Sequence, residues 1–160
     1  MGRVREGMMS AHPFSTAANR YARDVVRGKI ATCSYVRQAC GRHLSDQERS
    51  KSRDYPFRWD RDAAERICRF ASNMVHVKGR EWAGKKIVLE PWQSFILAVA
   101  FGWVRKADGL RRFREIYAEI PRKSGKSVLG ACIGLYMFAA DGEPGAEVYS
   151  GATSEKQAWE

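Results

Sequence analysis

Glu119-Ile120-Pro121-Arg122-Lys123-Ser124-Gly125-Lys126-Ser127 is the stretch whose reading decides the fold. Upstream, Phe113 to Ile120 alternates: Ile116, Ala118 and Ile120 share one face, and Phe113, Glu115, Tyr117 and Glu119 the other, which predicts a strand. Downstream, Val128 to Ala140 is an apolar run too long for a typical strand and predicts a buried helix. Strand, basic glycine turn and helix together are the layout of a phosphate-binding loop. The loop amides and the free N–H groups opening the helix converge on one spot, where the helix dipole favours an anion. Gly125 lets the backbone approach closely, Lys126 is placed to reach β- and γ-phosphates, and the Ser127 hydroxyl is placed to ligate Mg²⁺. The match to the usual G-x-x-x-x-G-K-[ST] pattern is partial, because Ile120 stands where the first glycine belongs.

With 160 residues and an ordinary hydrophobic content of 44%, the chain can bury a core and is not a disordered tract. Its formal net charge of +10 is unevenly spread. Residues 1–80 carry 17 Lys/Arg against 8 Asp/Glu, whereas residues 81–160 carry 11 against 10. A polyanion such as nucleic acid is the partner such a surplus favours, although a solvated basic surface gives the same count. Cys33, Cys40, Cys68 and Cys132 include no C-x-x-C pair, and Cys33, Cys40 and His43 are too loosely spaced for a zinc site. Cys68 and Cys132 lie on apolar helix faces and are expected in the core. Reduced thiols, no apolar signal core near Met1 and no apolar run long enough to span a bilayer lead to the expectation of a cytoplasmic protein with no membrane partner.

The expected architecture is α/β: a basic, mainly helical region over 1–80, then the start of a phosphate-loop domain over 81–160. A first helix is predicted over Pro13–Arg27, capped by Ser15 or Thr16, and a second over Ser34–Arg42. Leu44–Arg58 reads as a loop or frayed helix in which Ser45 and Glu48 could form a capping box. Asp60 is predicted to cap a helix that runs through Ala64, Ile67, Ala71 and Val75 until Gly79 stops it. Ile87–Leu89 suits a short strand, and Pro91 the first position of a buried helix reaching Trp103. After the breaker Asp141-Gly142-Glu143-Pro144-Gly145, a second strand is predicted over 146–152, and Ser154 with Gln157 would open another helix.

That pattern predicts only the first strands of a parallel sheet and lacks a strand-end carboxylate to hold the metal and activate water. Glu90 and Asp141 imitate one poorly: Glu90 precedes the loop and Asp141 reads as a helix-end residue. The chain is therefore expected to be the amino-terminal, truncated part of something longer, inactive in hydrolysis by itself.

Leu89-Glu90-Pro91-Trp92-Gln93, Phe101-Gly102-Trp103 and Pro121-Arg122-Lys123-Ser124-Gly125-Lys126-Ser127, in that order, resemble the large subunit of tailed-phage terminases, a viral, phage- or prophage-encoded DNA-packaging hydrolase. The resemblance begins near Tyr21–Ile30, takes in Phe57 to Gly79, and extends to Ser150-Gly151-Ala152-Thr153 and Gln157-Ala158. Terminases often lack the first glycine of the Walker A P-loop, which accommodates Ile120. The resemblance implies an ATP-driven motor that packages double-stranded DNA, with ATP and Mg²⁺ as cofactors. It implies a small terminase subunit, a portal or procapsid and a homo-oligomeric ring as partners, in the cytoplasm of a bacterial host. It assigns Gln93 to adenine, Arg122 to the γ-phosphate as a catalytic residue beside Lys126, and Lys123, Ser124, Gly125, Lys126 and Ser127 to the nucleotide, with Ser127 as metal ligand. A helicase-like nucleic-acid ATPase and a catalytically inactive fragment are the rival readings; a downstream nuclease acidic cluster would favour terminase.

Overall fold

The computed structural model describes residues 11–77, 79–149 and 151. They fall into two compact units, Met1–Glu119 and Ile120–Glu160.

In the first unit, α1 (Pro13–Val26), α3 (Arg61–Asn73) and α4 (Pro91–Gly102) pack on one another, and α2 (Ser34–Arg49) packs on α1. Strands β1 (Phe57–Trp59) and β2 (Trp103–Arg105) pair antiparallel, Trp59 opposite Trp103. α1 buries Ser15, Ala18, Ala22 and Val25, small side chains that let neighbouring helices come close. Its cap is not the expected local one. Glu65 of α3 accepts from the backbone N–H groups of Phe14 (3.1 Å) and Ser15 (3.2 Å), satisfying two otherwise orphaned donors. Ser15 is instead buried under the Trp59 indole N–H at 3.3 Å, and the Thr16 hydroxyl donates back to the His12 carbonyl at 2.8 Å.

α2 runs to Arg49, well beyond the predicted Arg42, so Ser45 lies inside the helix and caps nothing. Buried contacts override the weak local propensity there. The His43 Nε2–Asn19 Oδ1 distance is 2.7 Å, and Nδ1 accepts from the Trp103 indole at 3.0 Å. Those partners specify the neutral tautomer with its proton on Nε2.

Asp60 caps α3 as predicted, its carboxylate accepting from Ala63 N–H at 2.9 Å. The helix ends at Asn73 rather than near Gly79. Met74 turns extended, and its carbonyl accepts from Ile87 N–H (2.9 Å) while His76 N–H donates to the Lys85 carbonyl (2.9 Å). Those cross-links replace the helical bonds, and the expected strand at Ile87–Leu89 is reduced to a bridge between Val75 and Lys86. Pro91 does open α4, but Trp103 leaves the helix to begin β2. Gly102 explains the turn. A Cβ there would lie 2.7 Å from the Ala64 Cβ and 2.8 Å from the Trp59 ring, so only glycine allows this approach.

The second unit contains α5 (Lys126–Ala139), two residues ahead of the predicted start. The predicted strand over 113–120 is not formed, and 146–149 is also irregular. Mixed helix and strand is what the chain shows; the parallel sheet is absent from the described residues. An extended segment becomes a strand only when a neighbour takes its N–H and C=O groups, and Tyr117, 90% exposed, has no sheet packed over it. The predicted capping box at Ser154 and Gln157 lies outside the described residues.

Candidate nucleotide-binding site

Gly125 is the N-cap of α5 and sits in the left-handed region (φ 76°), as the glycine turn requires. Two residues before it, Lys123 is also left-handed (φ 65°), the sole non-glycine residue with positive φ among those described. A lysine tolerates that conformation at a cost of about 1–2 kcal/mol. No side chain caps α5 and its first turn holds no acidic residue, so the opening N–H groups stay available to an external anion. Arg122, Lys123, Gly125, Lys126 and Ser127 are exposed and Ser124 half-buried around that opening. Beyond it α5 becomes apolar and anchors itself through buried Leu129, Cys132 and Tyr136. The donor set suits polyphosphate: backbone amides, two ammonium groups and a guanidinium for charge, and the Ser127 hydroxyl beside Lys126 for a metal.

Asp141 follows the C-terminal end of this 14-residue helix, about 20 Å along the axis from the loop. It therefore cannot serve a metal held by Ser127. Among the described residues no cluster of His, Cys, Asp and Glu could hold a metal ion.

Gln93 belongs to the first unit, where it is the third residue of α4. Its Oε1 accepts from Glu90 N–H at 2.9 Å, and the Glu90 carboxylate accepts in return from the Gln93 backbone. This reciprocal capping box leaves the amide Nε2 as the free end of the side chain. Glu90 is thus a helix cap, and Trp92 is half-buried behind it.

The sequence reading missed a buried polar knot that fixes the residue just before 113–119. Asp46, 2% exposed, accepts from the Tyr55 hydroxyl and from Arg112, both at 2.6 Å. Burial pushes its pKa up, but those hydrogen bonds and the charges of Arg112 and Arg49 outweigh it and hold the carboxyl below its ordinary value. The Arg112 guanidinium also lies over Phe57 (4.5 Å), Phe113 (4.9 Å) and Trp103 (5.6 Å). No local pattern signals a pair separated by 66 residues. Nearby, a groove of about 340 Å³ is lined by Phe95, Ile96, Val99, Phe113 and Tyr117, with Arg42 at its edge. Cys40, Cys68 and Cys132 are buried and Cys33 is exposed; burial drives the Cys68 thiol up to about 12 and the Cys40 thiol to about 11, which makes both inert.

Residues 91–160 match the family model "Terminase large subunit, ATPase domain", a span from the start of α4 through the loop and α5, consistent with the N-terminal part of such a subunit. No curated protein and no solved structure matches the chain. Among the described residues no helix is long and apolar enough to cross a membrane.

Proposed function

We propose, taking the terminase ATPase match over residues 91–160 as premise, that this chain supplies the ATP-binding loop of a DNA-packaging motor. The observation that carries the proposal is the uncapped N-terminus of α5, opened by left-handed Gly125 and followed at once by Lys126 and Ser127. In this reading the α5 amides and Lys126 hold the β- and γ-phosphates, Arg122 faces the γ-phosphate, and Lys123 and Ser124 shape the loop. Ser127 would hold Mg²⁺, which when bound would supply positive charge to the phosphates. Gln93 can offer its free Nε2 to adenine without leaving its cap; a bidentate contact would require Oε1 to give up Glu90 N–H. Residues 113–120 and 146–152 would join a parallel sheet once paired.

The partners follow from the same premise: double-stranded DNA, a small terminase subunit, a portal or procapsid, and other copies of the chain in a ring, in a bacterial cytoplasm. The 160 residues bring no strand-end carboxylate to Ser127 among those described, so binding without steady turnover is the expected behaviour of this chain. Titration of a fluorescent ATP analogue tests the reading. Binding at millimolar Mg²⁺ should weaken about tenfold in Ser127→Ala or when Mg²⁺ is removed, and no phosphate should be released over hours. Binding that ignores both Ser127 and Mg²⁺ would remove the metal role; multiple turnovers abolished by Lys126→Ala would remove the inactivity.

A further inference from the structure

We propose that the outer face of α1 is a docking surface for the phosphate backbone of a nucleic acid, held by Arg20, Arg23 and Arg27. These positions are three and four residues apart, so they line up along one side of the helix, opposite the face formed by Ser15, Ala18, Ala22 and Val25. All three side chains are exposed, and none makes a side-chain hydrogen bond or ion pair among the described residues. The carboxylates that could neutralise them are engaged elsewhere. Asp24 faces Lys29 at 3.7 Å, Asp46 is buried against Arg112, Glu48 faces Lys51, and Glu65 caps α1 while holding Arg69 at 3.0 Å. The stripe is thus a positive line along α1 and its C-cap, with Asp24, shared with Lys29, as the carboxylate beside it.

Its chemistry selects the partner. The stripe itself is entirely guanidinium, whose planar fork matches phosphate oxygens and loses less water than an ammonium. Val26, 43% exposed and about 90° round the helix from the three arginines, is the large apolar side chain that α1 exposes, too little for an apolar protein hot spot or a lipid surface. From Arg20 to Arg27 the helix rises about 10 Å, close to the axial rise of about three nucleotides along one strand. Three arginines spread over that length reach neighbouring phosphates of one strand without reading bases, so the surface gives affinity and orientation rather than sequence preference. The proposal shares the nucleic-acid premise of the packaging reading but uses none of its nucleotide site.

The test is fluorescence anisotropy of the full chain on a labelled 20-base-pair duplex over 50–200 mM salt, without nucleotide. Each phosphate contact adds about 0.9 to the slope of log affinity against log salt. Arg20→Gln/Arg23→Gln/Arg27→Gln should lower that slope by two to three and weaken binding at least tenfold at the lowest salt. The Lys triple variant should keep most of the slope. Removing equal charge elsewhere, with Lys51→Gln/Arg61→Gln/Arg66→Gln, should change the slope by less than one. Unaltered melting temperatures guard against unfolding. No duplex binding by the unaltered chain, an equal slope in both Gln triples, or tighter binding to polyglutamate than to duplex would overturn the proposal. Repeating the titration in Lys126→Ala separates it from the nucleotide reading, since duplex binding should persist there.

Discussion

The two units spend their polar groups in opposite ways. In Met1–Glu119 a set of polar side chains turns inward and is matched: His43 between Asn19 and Trp103, Asp46 between Tyr55 and Arg112, Glu65 on the first turn of α1. In Ile120–Glu160 the polar groups around α5 face outward with no side-chain cap, and a lysine holds a left-handed backbone. Satisfied buried networks stabilise and specify a fold, whereas an open, strained donor cluster is stability withheld for a ligand. Substitutions in those buried networks should therefore damage folding, and substitutions in the loop should damage binding.

The largest effect on stability is expected at Asp46. Asp46→Ala leaves Arg112 and Tyr55 without their acceptor and should cost about 3–5 kcal/mol in urea unfolding. A cost under 1 kcal/mol would show that the knot is not a determinant of the fold. Acid should come next, through His43. Burial lowers its pKa from 6.5 to about 4, so the unfolded chain takes up a proton that the folded one refuses. Stability contributed by neutral His43 is complete above pH 6.5, falls as pH drops toward 4, and levels off below; the total is about 3 kcal/mol. His43→Gln should flatten the melting temperature between pH 6.5 and 4.5, and an unchanged slope there would place the acid sensitivity elsewhere. Gly102→Ala is expected to cost about 1–3 kcal/mol because the methyl meets Ala64 and Trp59 below 3 Å. A neutral Gly102→Ala would mean that the α3–α4 contact relaxes freely.

What could be read from the sequence, and what could not, follows from the range of the forces. Helix α1, the Asp60 cap, Pro91 at the head of α4 and helix α5 behind Gly125 rest on local periodicity and capping, and the structure has them. The glycine turn that opens α5 was legible for the same reason. The end of α3, the full length of α2 and the cap of α1 depend on residues from nine to about sixty positions away, and local signals misplace them. Glu65 is an instance: on α3 it reads as an ordinary helical acid, yet it lies 51 and 50 residues from the two N–H groups that it caps. The strand over 113–120 fails differently, since alternation marks a segment able to pair and does not provide the neighbour. Gln93 shows that a residue taken for the base can first be a helix cap; losing the cap should cost about 1 kcal/mol. Gln93→Ala should therefore lower stability slightly, and ATP preference over GTP only if Nε2 reaches the base.

The smallest stability effect should come from Lys126→Ala, within about 0.5 kcal/mol, because the side chain is exposed. The same variant gives the most direct test of the account. Melting temperature is measured with and without millimolar ATP and Mg²⁺, for the unaltered chain and for Lys126→Ala. The expected result is a rise with ATP in the unaltered chain that disappears in Lys126→Ala, the two proteins melting together without ligand. Equal ATP stabilisation of both proteins would contradict the assignment of the α5 opening as the phosphate site.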